Sequence, residues 1–96
     1  MDKAQHERLA VLAEELGEVQ QVIGKILRHG IDSFNPLDDS EETNRIKLTK
    51  ELADVNLIVL HMIHEGDIDS NNIEFYTEKK VEKINKWLHH NKVDFT

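Results

Sequence analysis

Five acidic residues in two short stretches carry the chemistry this sequence offers. Glu14, Glu15 and Glu18 fall within Glu-Glu-Leu-Gly-Glu, and Glu51 and Asp54 within Glu-Leu-Ala-Asp. In each stretch two carboxylates lie three residues apart within helical apolar spacing, so each helix presents them on one face, one turn apart. If the two helices pack side by side, Glu15, Glu18, Glu51 and Asp54 converge. Four like charges that close need a cation, a bound proton or open water between them. Oxygen-only ligands favour a hard ion, Mg²⁺ or Mn²⁺, over zinc. The ordinary explanation of acidic residues, a solvated helix face, suffices for Glu14 or Glu41 taken alone. It is weaker for the four together, which flank Leu16, Val19, Leu52 and Val55 of the apolar stripe. Asp54 also sits inside an apolar run, where a charge has to be paired or metal-bound.

Glu-Glu-x-x-Glu followed by Glu-x-x-Asp resembles the all-α nucleoside triphosphate pyrophosphohydrolases of the MazG superfamily, from about Leu12 to Ile63. The flanks agree: Ile26-Leu27-Arg28-His29-Gly30 closes the first helix and Asn44-Arg45 opens the second. The resemblance implies hydrolysis of a nucleoside triphosphate between its α and β phosphates, giving monophosphate and pyrophosphate. Glu15, Glu18, Glu51 and Asp54 would then hold one or two Mg²⁺ ions, which neutralise charge at the phosphates and activate a water. Glu14, adjacent to Glu15 and one turn before Glu18, is placed to orient that water or act as general base, with a plain surface acid as the alternative. Lys25, two turns beyond Glu18, and Arg28, one turn further, are candidates for the phosphates. Lys80 and Lys83 join them, in keeping with the basic C-terminal helix such proteins carry. Each of these cations alone is equally explained as a solvated side chain.

Other chemistries lack footing. Without cysteine there is no disulfide, thiolate site or cysteine nucleophile. The six histidines do not have metalloprotease spacing, because His64-Glu65 is not followed by the second histidine. His61, seven residues after Asp54, shares its helix face. No phosphate-binding glycine loop is present, and Gly66 to Asn72 lacks the ligand pattern of a calcium loop.

The elements that must position these residues are helices. Leu9, Leu12, Leu16, Val19, Ile23 and Ile26 alternate steps of three and four, which predicts an amphipathic helix from Asp2 to about Arg28, stopped at His29-Gly30. Gly17 and Gly24 each weaken it by about 1 kcal/mol relative to Ala and read as points of close helix packing. Residues 30–42 read as a long loop in which Phe34 could stack on a base, or, with Ile31 and Leu37, close one end of the core. Ser40 or Thr43 is the expected cap of a second helix, Asn44 to about Glu65. That helix is apolar nearly all round from Leu52 to Ile63, more than three helices can cover, so a dimer packed through it is expected. A third helix is expected from about Asn72 to His90, with Ile73, Tyr76, Val81, Ile84 and Leu88 inward and Lys79, Lys80, Lys83, Lys86 and Lys92 outward. Val93 to Thr96 read as a frayed tail.

With 96 residues, 39% hydrophobic and 32% charged, the chain reads as one domain, residues 1–96, that folds with support from a partner copy. A net charge of −7 argues against binding the nucleic acid backbone. It leaves room for a small anion held through metal. No segment reads as a signal peptide or membrane span, so a cytoplasmic protein is expected. The expected assembly is thus all-α, three main helices in a bundle completed as a homodimer, or as a tetramer of two dimers. Two rivals stand beside the hydrolase: a noncatalytic helical interaction module, and a nucleotide phosphatase with the same metal site and another cleavage point.

Overall fold

The computed structural model describes residues 1–95, which form three helices and no strand: α1 (Lys3–His29), α2 (Asn44–His64) and α3 (Ser70–Ile84). The expectation for Thr96 lies outside the described residues. Asp2 starts α1 with a capping box: its carboxylate accepts from the Gln5 amide at 2.8 Å, and the Gln5 side chain accepts from the Asp2 amide at 3.0 Å. Gly30 ends it with φ 98°, a conformation that favours glycine, while its N–H donates to the Ile26 carbonyl. Thr43, one of the two expected caps, starts α2 by accepting from the Ile46 amide.

α1 and α2 form an antiparallel hairpin, pinned at both ends. At the loop end the buried Asn44 side chain donates to the Gly30 carbonyl at 3.0 Å, and the Asn44 and Arg45 amides donate to the carbonyls of Ser33 and Ile31. Arg45 clasps Asp32 with two hydrogen bonds, at 2.8 and 3.1 Å. The long loop is thereby folded back on the first turn of α2. At the other end Arg8 makes two bonds to Asp67, at 2.5 and 2.9 Å, tying the turn after α2 to the start of α1. Both side chains are largely shielded from water.

Between these clasps the core is thin. Only Val19, Val22, Ile58 and Met62 are buried apolar side chains among the described residues. α2 is therefore not covered on most sides in a single copy: Leu57 is 68% exposed, Leu60 55% and Ile46 44%. Gly17 has nothing within 4 Å of where a Cβ would stand and Gly24 only the Arg28 side chain, so neither marks a close packing point within one copy. Leu37 is exposed, so Ile31, Phe34 and Leu37 do not close the core.

α3 departs most from expectation. It begins earlier, because Asp69 caps it through the Asn71 amide, and ends at Ile84 rather than His90. Past that point the Asn85 side chain pairs with both backbone groups of Val93, at 2.7 and 3.1 Å, folding the tail back against the helix end, so Val93 is held rather than frayed. Ile73 and Tyr76 face solvent, and Val81 and Leu88 are half-buried. α3 makes no extensive contact with either hairpin helix, so the chain alone is a hairpin with an appended helix and not a closed bundle. Its radius of gyration, 16.5 Å, exceeds the roughly 12.5 Å of a compact chain of this length.

Candidate functional site

Pairing α1 with α2 antiparallel, in the register set by the Asn44 and Arg8 clasps, brings residues 15 and 18 level with 51 and 54. Glu15, Glu18, Glu51 and Asp54 each place one carboxylate oxygen so that all four lie within 4.8 Å of one another. Three are half-buried and Asp54 is exposed at the edge, open to solvent rather than buried in the apolar run of α2. The Oε2 atoms of Glu15 and Glu51 are shut off from water with no hydrogen-bond donor.

The electrostatics follow from this crowding. Burial, then the charges of Glu18 and Asp54, raise the Glu15 carboxyl above its ordinary range. Glu51 is raised first by side-chain hydrogen bonding with Glu18, then by burial and by the charges of Glu18, Asp54 and Glu15. Two buried oxygens without donors, on two carboxyls that crowding holds above their ordinary range, are what a hard cation would remedy, and the residues present fit such an ion.

The remaining candidates separate by position. Glu14 is exposed beside the cluster and is not one of its four members; its charge adds to the field on Glu15. Lys25 and Arg28 come together at the loop end of the hairpin, lining one cavity. Lys80 and Lys83 are exposed on α3, which one chain does not bring to the cluster. On the other side of the carboxylates, Val11, Leu57, Ile58, Leu60 and His61 line an apolar cavity of about 600 Å³ that Glu15 and Asp54 border.

Sequence reasoning missed two features. Lys47 was indistinguishable from other cations, though its place one turn before Glu51 set it on the site-facing side of α2. The Arg8–Asp67 clasp joins residues 59 apart, and no local pattern signals such a pair. No helix among the described residues is long and apolar enough to cross a membrane. No family model, no curated protein and no solved structure matches this chain.

Proposed function

We propose that this chain is a MazG-like, Mg²⁺- or Mn²⁺-dependent nucleoside triphosphate pyrophosphohydrolase, acting in the cytoplasm on free nucleotides. The observation that carries the reading is the convergence of four carboxylates with two buried, donorless oxygens among them. Glu15, Glu18, Glu51 and Asp54 would hold the metal. When bound, a divalent ion supplies charge neutralisation at the phosphates and a more acidic water. Glu14, exposed at the rim beside the cluster, takes up the proton of the attacking water. Lys25 and Arg28 bind the phosphate chain.

The working form in this reading is a homodimer, or a pair of dimers. A thin core, the exposed Leu57, Leu60 and Ile46 of α2, and the large radius of gyration support a second copy packed on α2. Such a partner is also how Lys80 and Lys83 would reach a site. The same unpartnered helix faces favour the rival, a noncatalytic interaction module, so the test must read chemistry. Product release from ribo- and deoxynucleoside triphosphates with Mg²⁺ is compared for the wild type, Glu18→Gln and Asp54→Asn. Monophosphate and pyrophosphate, lost in both variants, are expected. Orthophosphate without pyrophosphate would make the chain a phosphatase, and no turnover with unaltered Mg²⁺ binding in the variants would leave the interaction module.

A further inference from the structure

We infer that the cavity at the loop end of the hairpin is an anion subsite that takes the terminal phosphate groups of a polyphosphate ligand without needing a metal. This deepens the nucleotide reading above and rests on it only for the identity of the ligand's other half. The cavity, about 450 Å³, is walled by Lys25 and Arg28 from α1, Asn44 and Lys47 from α2, and Ser33 and Phe34 from the loop. The protein has 19 acidic residues against 12 Lys and Arg, yet this wall holds three cations and no carboxylate. Local charge here opposes the sign of the whole.

The cations are available. Among the described residues neither the Lys25 nor the Arg28 side chain has an ion-pair or hydrogen-bond partner, and the Lys47 ammonium pairs only with Asp38, at 3.5 Å. Helix electrostatics explain some of them: Arg28 and His29 in the last turn of α1 offset its negative end. They do not explain Lys47, which stands near the positive end of α2, where a cation is disfavoured. The helix end is not itself the anion site. Its first amides are taken up by the carbonyls of Ser33 and Ile31 and the hydroxyl of Thr43, so binding falls to the side chains. Phe34 and Pro36 make part of the wall apolar, which strengthens charge interactions inside.

Position fixes the ligand class. Lys47 lies one turn before Glu51, and Lys25 two turns, about 10 Å, beyond Glu18. An anion in the cavity is thus a short extension from the carboxylates, as the far end of a phosphate chain is, while the apolar cavity lies on their other side. A triphosphate would lie with its nucleoside on the far side of the carboxylates and its terminal phosphates towards Arg28.

Calorimetric titration of the full chain with inorganic tripolyphosphate, in EDTA, tests this. One tripolyphosphate per chain is expected for the wild type and for Lys3→Gln, with binding at least 10-fold weaker in Arg28→Gln and undetectable in Lys25→Gln/Lys47→Gln, each checked for helicity by circular dichroism. No binding by the wild type, or equal binding by the folded variants, overturns the subsite. Mg²⁺ binding and turnover are read separately. If tripolyphosphate binds while both are absent, the subsite stands and the hydrolase reading falls. If turnover occurs with KM unchanged in Arg28→Gln, the reverse holds.

Discussion

Leu57→Ala tests whether a second copy of the chain covers α2. Leu57 is 68% exposed on the stripe it shares with Leu60 and Ile46. Fully burying a leucine is worth about 1.5–3 kcal/mol, so covering the exposed part of this one contributes about 1–2 kcal/mol per copy. A two-fold pair uses the residue twice, so truncation removes about 2–4 kcal/mol, a dimer about 30- to 1,000-fold weaker. The stripe's six side chains in a pair contribute about 5–10 kcal/mol, of the same order as an association cost of about 4–15 kcal/mol, so the margin that holds the pair together is small. A loss of this size should therefore be plainly visible. Sedimentation equilibrium over a 100-fold concentration range is the assay, with thermal melts at the same concentrations, since a dimer's melting temperature rises with concentration. A wild type that stays monomeric throughout, melting at one temperature, refutes the reasoning. So does a Leu57→Ala dimer of undiminished strength.

Three further outcomes follow from single features of the hairpin. The raised carboxyls of Glu15 and Glu51 stabilise the metal-free protein below about pH 4.5, their ordinary value, and that contribution is lost as pH rises through their folded-state values. Asp67, lowered chiefly by its bond to Arg8, acts oppositely, adding stability above about pH 3.8 that is lost on acidification. Melting temperature in EDTA should thus peak in mildly acid buffer and fall towards neutrality, and Mg²⁺ should restore the neutral side; a flat profile that Mg²⁺ leaves unmoved contradicts the cluster's electrostatics. Arg8→Lys keeps the charge but loses the two-pronged bond, so it should lower the melting temperature and move the acid limb to higher pH. Glu41 holds a left-handed φ of 54°, costing about 1–2 kcal/mol; Glu41→Gly should recover about 0.5–1 kcal/mol after its own entropic cost, measured by urea unfolding.

The hairpin and its acidic cluster were legible in the sequence because both are written in local periodicity. Steps of three and four along α1 and α2, a cap at Thr43 and a stop at Gly30 fix two helices and the loop between them. Carboxylates three apart on each then meet once the helices lie antiparallel. α3 was read too long for the same reason. Val81, Ile84 and Leu88 continue a helical spacing, but Asn85 spends its side chain on the backbone of Val93 and ends the regular helix. Nor could spacing reveal that α3 leaves the hairpin, because an amphipathic pattern says that a face must be covered and not what covers it.

The net charge of −7 shows the same limit of averages. As a whole-chain value it speaks only against the nucleic acid backbone, and it hides that along one face of the hairpin the charges are sorted. An apolar cavity at Val11 and Leu57 is followed by four carboxylates within 4.8 Å, and one turn further by an acid-free cavity of Lys25, Arg28 and Lys47. Interactions at such range are governed by the nearest groups, since screening removes most of what lies beyond about 8–10 Å. A phosphate chain set along this face would meet cations at one end and, through a metal, the carboxylates at the other. Distant surface acids would count for little.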